Sequence, residues 1–183
     1  SCPSARFADV PVDEWYHEAV DYAVESGLMN GISETEFDPA CTLNRAQIIT
    51  ILYRLAGSPT VEAPAAFTDV PTGVFYSEAV AWAVEKGITN GVSGDRFDPS
   101  GAVTREQLVT FLYRYEKTTG ADMTISGDLS VFEDADNVSI WAVEAFAWSV
   151  AEGIVTGVTD TTLEPGSVTN RAQTAMVLLR LAQ

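Results

Sequence analysis

The chain has 183 residues, 46% of them hydrophobic, and sets 26 acidic against ten basic side chains for a net charge of −16. That charge makes nucleic acid and anionic membrane surfaces poor long-range partners, because the summed field repels polyanions. The apolar runs fall well short of the ~18 residues of a membrane span, and the hydrophobic and aromatic content argues against disorder, so a soluble globular protein is expected. No signal peptide, lipidation motif or transit sequence is visible, and Ser1 is not a start methionine. The chain is therefore expected to be a processed or excised portion of a longer protein.

Taken in order, an Asp9-Val-Pro turn leads into a helix predicted from about Glu14 to Ser26 and ended by Gly27. Glu14, Glu18, Asp21 and Glu25 follow a three-to-four-residue step, while Trp15, Ala19, Tyr22, Ala23 and Val24 fill the remaining face. The stretch Gly31-Ile-Ser-Glu-Thr-Glu-Phe-Asp-Pro is rich in turn formers and predicts a compact, ordered loop, with Gly31 suited to a left-handed backbone. A second helix is predicted from about Arg45 to Ala56, carrying Ile48, Ile49, Ile51, Leu52 and Leu55. Asn44 stands three residues before Gln47, which is the pattern of a capping box.

This unit returns twice. Phe7-Ala-Asp-Val, Trp15, Gly31, Phe37-Asp-Pro, Arg45 and Arg54 are matched by Phe67-Thr-Asp-Val, Phe75, Gly91, Phe97-Asp-Pro, Arg105 and Arg114. A third copy reads Phe132-Glu-Asp-Ala, Trp141, Gly157, Leu163-Glu-Pro, Arg171 and Arg180. The step from Trp15, Phe75 or Trp141 to Arg45, Arg105 or Arg171 is 30 residues each time, and the slack lies in the linker before the third unit, which gains five residues, and in the stretch before Trp141, which gains one. Rigid spacing inside the unit and slack between units mark a structural repeat. Three units (1–60, 61–120 and 121–183) are each too short to bury much core alone, so they are expected to fold as one body.

The ten basic residues are placed by repeat. Arg45, Arg105 and Arg171 share one position, Arg54, Arg114 and Arg180 another, and only Arg6, Lys86, Arg96 and Lys117 lie elsewhere. The second set falls in the last turn of a helix, where a cation suits the dipole, and helix electrostatics alone account for it. The first set falls at the first helical position, between the N-cap (Asn44, Thr104, Asn170) and the glutamine (Gln47, Gln107, Gln173), where a cation opposes the dipole. A guanidinium beside the free N–H groups of a helix start suits a carboxylate ligand.

Cys2 and Cys41 have no counterparts in the other units. In a secreted chain they are expected to form a disulfide worth about 3 kcal/mol, the alternative being two unrelated buried thiols. Metal ligation by cysteine and histidine has weak support, since His17 is the one histidine and the cysteines are far apart in sequence.

With a first helix, a glycine-bearing loop, a capped arginine at the next helix start and three tandem copies, the chain resembles the S-layer homology (SLH) domain family from Phe7 to Leu181, apart from the Lys117 to Val131 linker. The family motif Thr-Arg-Ala-Glu appears here as Asn44-Arg-Ala-Gln47, Thr104-Arg-Glu-Gln107 and Asn170-Arg-Ala-Gln173. The resemblance implies a mainly α fold of three tandem helix-loop-helix repeats in one pseudo-threefold body with grooves between neighbours. It implies a bacterial cell-surface location and non-covalent anchoring of a secreted protein to the cell wall. The partner it implies is secondary cell-wall polysaccharide, with a pyruvylated terminal sugar, and the cargo domain lies outside this chain. The ligand-binding candidates it implies are Arg45, Arg105 and Arg171 for the carboxylate, with Gln47, Gln107 and Gln173 beside them. Trp15, Phe75 and Trp141 fit a helix packing position better than a sugar platform. Trp82 and Trp148 belong in the core. Asp9, Asp69 and Asp134 fit a turn-fixing role better than contact with sugar hydroxyls. Departures from the motif, above all Glu106 beside Arg105 and Leu163 in place of Phe37 and Phe97, predict unequal grooves.

Two other classes are weighed against this reading. One is a protein-interaction or S-layer lattice assembly module, since helical repeats present grooves and the acidic surface suits a basic partner or divalent cations. The other is an enzyme, but no carboxylate pair is set apart from a solvated helix face, and nucleophile-elbow, phosphate-loop and metalloprotease signatures are absent. Neither catalysis nor a cofactor is expected. Asp134, Asp136 and Asn137 lack the full pattern of a calcium loop.

Overall fold

The structure is a computed structural model and describes residues 2–183. Each repeat contributes two helices: α1 (His17–Glu25) and α2 (Arg45–Leu55), α3 (Ser77–Glu85) and α4 (Arg105–Thr119), α5 (Val143–Ala151) and α6 (Arg171–Leu181). All three second helices start with a complete capping box, as their Asn/Thr-x-x-Gln signatures predict. Each first helix is shorter at its start than its periodicity suggests. Residues 11–16 form consecutive turns, with Glu14 N donating to Pro11 O (3.2 Å) and His17 N to Glu14 O (3.0 Å), before α1 begins. Trp15 therefore precedes the helix instead of lying on its inner face.

The repeats close into a ring. Helix α2 packs on α3, α4 on α5, and α6 returns to α1. Tyr53 meets Trp82 with ring centroids 5.6 Å apart, and Tyr113 meets Trp148 at 5.7 Å, so the buried tryptophans expected in the core sit at the joints between repeats. The hydroxyl of Tyr113 donates to Glu144 (2.7 Å), and burial together with that carboxylate pushes the phenol up to about 12. Isolated antiparallel bridges complete the ring: Asn44 with Ala102, Thr104 with Val168, and Thr42 with Asn170. Each joins one repeat's second-helix entry to the next repeat's loop.

The core is continuous through all three units, with Phe37, Phe97 and Leu163 fully buried at equivalent places. Leucine thus replaces the aromatic without exposing the third loop. The repeat glycine is required for two different reasons. Gly91 has φ 81°, but Gly31 and Gly157 do not adopt a left-handed backbone. At all three, a Cβ would collide with the ring of Phe7, Phe67 or Phe132 and with loop carbonyls. Close approach, more than φ, keeps this position free of a side chain.

The linker folds onto the third repeat: α4 ends at Gly120 (φ 82°), and Gly127 N donates to Ala147 O on α5 (2.8 Å). Glu106 turns away from Arg105 and accepts from Ser139 N and Oγ (2.9 and 2.8 Å), holding the extra residue before Trp141. The expected Cys2–Cys41 disulfide is not formed. Both thiols are free and exposed, Cys2 facing His17 and Asp21 while Cys41 donates to Thr42 O. Among the described residues, no helix is long and apolar enough to cross a membrane.

A ring closed at three equivalent joints leaves no repeat with a finished core of its own. Calorimetry is expected to show a single unfolding transition, whereas resolved transitions would show that the repeats fold independently.

Candidate functional site

The site is built around the Phe-Asp-Pro turn. Asp9 accepts from Phe37 N and Asp38 N (2.9 and 2.7 Å), Asp69 from Phe97 N and Asp98 N (2.9 and 2.8 Å), and Asp134 from Leu163 N and Glu164 N (both 2.8 Å). These bonds hold Asp38, Asp98 and Glu164 at φ 56°, 60° and 50°, a left-handed conformation that costs a residue with a side chain on the order of 1 kcal/mol. Burial alone would raise the carboxyls of Asp69 and Asp134. The backbone N–H donors outweigh it, with help from Arg96 and Arg105 respectively, and hold both below the usual carboxylate range.

The other side of the same turn is gripped from the preceding repeat. Arg45 Nε donates to Phe97 O (2.9 Å), Arg105 Nε to Leu163 O (2.7 Å), and Arg171 Nε to Phe37 O (2.7 Å). Arg105 and Arg171 each give a second bond, to Thr156 O (3.0 Å) and to Asn30 O. Arg45 also lies 4.8 Å from the Phe97 ring, and Arg171 4.3 Å from that of Phe37. Arg45 and Arg171 are buried; Arg105, which meets Leu163, is half-buried. Burial pushes all three guanidinium groups down, opposed by Asp98 and Asp69 at Arg45, by Glu164 and Asp134 at Arg105, and by Cys41, Asp38 and Asp9 at Arg171. Arginine nevertheless stays charged at any physiological pH.

The helix starts are not open to a ligand, contrary to expectation. The first two amides of α2 donate to Gly101 O and Pro99 O, those of α4 to Ser167 O and Pro165 O, and those of α6 to Cys41 O and Pro39 O, all at 2.9–3.0 Å. The third amide goes to the N-cap side chain. What remains for an anion is side-chain chemistry.

Three clefts collect that chemistry, one per repeat, and each draws on all three repeats. The first, about 260 Å³, combines Gln47 and Arg54 with Arg171 and Phe75. The second, about 390 Å³, combines Gln107 and Arg114 with Arg45 and Trp141. The third, about 260 Å³, combines Gln173 and Arg180 with Arg105 and Trp15. The motif arginine comes from one neighbour and the aromatic from the other. Since each Gln Oε1 accepts from its N-cap amide (2.9–3.0 Å), its Nε2 donors are left for a ligand.

Two assignments change here. Trp15, Phe75 and Trp141 are 58%, 70% and 53% exposed groove walls, not core. The pairs Trp15-Tyr16 and Phe75-Tyr76 carry a legible signal: only one of two adjacent rings can face inward, and Tyr16 and Tyr76 do so, edge-on to their partners. The last-turn arginines also line the grooves. Arg54 and Arg114 donate to Leu28 O (3.3 Å) and Ile88 O (3.1 Å), and among the described residues Arg180 makes no side-chain hydrogen bond or ion pair. Asp9, Asp69 and Asp134 fix turns and line none of these clefts.

The S-layer homology domain family matches residues 6–49, 66–109 and 131–175, and the chain belongs to that family. It is 33% identical over 166 residues to the surface-layer 125 kDa protein of Lysinibacillus sphaericus, covering 89% of this chain and 14% of that protein. It is 27% identical over 176 residues to an S-layer protein of Bacillus thuringiensis subsp. finitimus, covering 95% of this chain and 21% of that one. It is 26% identical over 181 residues to the exoglucanase XynX of Acetivibrio thermocellus, covering 98% and 16%. The chain thus spans 14–21% of the length of these curated relatives. Its domain is a binding and anchoring module of cell-surface proteins.

Stability contributed by the lowered Asp69 and Asp134 carboxyls is complete above about pH 4 and is lost as pH falls through their lower folded values. Asp69→Ala should cost about 2 kcal/mol at neutral pH, as expected for two charge-assisted bonds. Its stability difference from the parent should shrink in acid, and a difference that persists at low pH would refute the carboxylate's role.

Proposed function

We propose that this chain anchors a larger exported protein to the bacterial cell wall by binding secondary cell-wall polysaccharide, with an anionic terminal sugar such as a pyruvylated one as the group recognised. One observation carries the reading. Six of the ten basic residues of a chain with net charge −16 meet as arginine pairs in three grooves, each beside an exposed aromatic ring and a glutamine amide. Paired guanidinium groups suit a carboxylate, the ring suits the apolar face of a sugar, and the amide suits a hydroxyl. In this reading the chain binds without turnover. The cargo is a region of the longer protein outside this chain.

The grooves are unequal in this reading. The third is the most available, because among the described residues Arg180 has no side-chain hydrogen bond or ion pair and Arg105 has no ring beneath it as Arg45 and Arg171 have. Arg105 also feels the positive charge of Arg180, so an anion between them relieves like-charge repulsion.

Calorimetric titration with purified wall polysaccharide, run beside the same material after mild acid removal of pyruvate ketals, tests the proposal. Binding lost with the ketal supports carboxylate capture. Equal binding to both keeps the anchoring role but rejects that chemistry, and no binding to either favours a protein-interaction module. Trp15→Ala should weaken binding about tenfold, the loss of roughly 1–2 kcal/mol of ring contact, with thermal stability unchanged because the ring is exposed. Arg180→Gln should weaken it at least as much. Replacing Arg45 or Arg171 is a poorer test, since their loss also releases the joints between repeats.

A further inference from the structure

We infer that the first repeat carries a zinc-type metal site made by Cys2, His17 and Asp21. It lies apart from the three grooves, and nothing in the anchoring reading uses it. Cys2 Sγ stands 3.4 Å from His17 Nε2 and 3.6 Å from Asp21 Oδ1, and His17 Nε2 is 3.6 Å from Asp21 Oδ2. Ligand atoms on a tetrahedral zinc, with bonds of about 2.3 Å to sulfur and about 2.0 Å to nitrogen and oxygen, lie roughly 3.3–3.6 Å from one another. The sulfur–nitrogen pair is already at coordination spacing, and with one Asp21 oxygen the three ligand atoms lie within 4.8 Å of one another.

The surroundings orient each ligand as a metal requires. His17 Nδ1 is 3.2 Å from Val10 O; as the donor there, it leaves the Nε2 lone pair aimed at the thiol and carboxylate. Ser4 N donates to Asp21 Oδ1 (2.7 Å), fixing the carboxylate with Oδ2 toward the histidine. His17 and Asp21 are four apart on α1, one turn on the same face, and the Pro3–Arg6 3-10 turn brings Cys2 over them. Cys2 is exposed, so a fourth position on a bound ion would open to solvent.

The site belongs to one repeat alone. The positions of His17 and Asp21 are occupied by Ser77 and Ala81 in the second repeat, and by Val143 and Ala147 in the third. The shared fold therefore does not demand these side chains, and the three appear together where the chain enters the ring. Thiolate, imidazole and carboxylate select zinc over calcium or magnesium, and the acidic surface draws cations in. A bound ion pins the entering segment to α1, two residues from the groove ring Trp15, and occupies the thiol otherwise open to oxidation or pairing with Cys41.

The test titrates the whole 183-residue chain, with both thiols reduced, with cobalt(II) as a spectroscopic stand-in and then with zinc. One equivalent of cobalt should give a thiolate-to-metal charge-transfer band and intense tetrahedral d–d bands, all displaced by zinc, and zinc should raise the melting temperature. Cys2→Ser should abolish the charge-transfer band. His17→Ala and Asp21→Asn should each weaken zinc binding about tenfold or more, whereas Cys41→Ser should leave it unchanged. Absence of the band in the parent, or a band that survives Cys2→Ser or requires Cys41, overturns the site. Since His17→Ala leaves every groove residue in place, its wall-binding titration reports on the anchoring proposal separately.

Discussion

Each Phe-Asp-Pro turn, like the Leu163-Glu-Pro turn that replaces it in the third repeat, is held at one peptide unit from two sides. Its N–H is taken by an aspartate of the same repeat and its carbonyl by an arginine of the preceding one. Because that arginine sits at the first position of a helix, the same contact delivers the helix start to the turn, where two further carbonyls occupy its free amides. Ring closure, burial of the helix ends and the position of every groove follow from this one linkage. It also resolves the conflict between the arginines and the helix dipole, since the guanidinium is needed in the neighbouring repeat, not at its own helix end.

An arginine bonded to neutral carbonyls keeps its formal charge uncompensated. Burial makes that costly unless further partners arrive, and the nearby carboxylates answer it only in part. A second arginine in each groove adds to the demand for an anion. The molecule as a whole repels polyanions, so in the proposed reading a carboxylate is caught by the grooves only at short range, and recognition depends on fit more than on steering. A single charge on an otherwise neutral sugar suits such a surface better than a densely charged polymer does.

The repeats share a scaffold but differ in detail. Leu163 keeps the third loop buried yet removes the ring beneath Arg105, so that arginine is the least buried of its set. Glu106 looks in the sequence like a threat to its neighbouring arginine, but side chains of adjacent helical residues diverge by about 100°, and Glu106 instead holds Ser139. The odd residues of the first repeat, Cys2, His17 and Asp21, converge where the Pro3–Arg6 turn packs on α1.

What the sequence by itself determined was whatever depends on neighbours along the chain. The three repeats, the capping boxes, the second-helix starts, the buried Trp82 and Trp148, and the turn role of the aspartates are all set by local spacing and hydrogen-bonding capacity. The motif arginines could be singled out because their conflict with the dipole is also local. Only the tertiary structure decided which residues share a groove. Arg45 and Arg54 lie on opposite sides of one helix, and no local rule reveals that each meets an arginine of another repeat. Nor does helical periodicity show that Trp15 stands just outside its helix, exposed, or that His17 and Asp21 lie beneath Cys2 while Cys41 stays apart. The groove pairings arise from ring closure, which brings together atoms separated by 52 to 141 residues of chain, and a chain read one segment at a time carries no record of that distance.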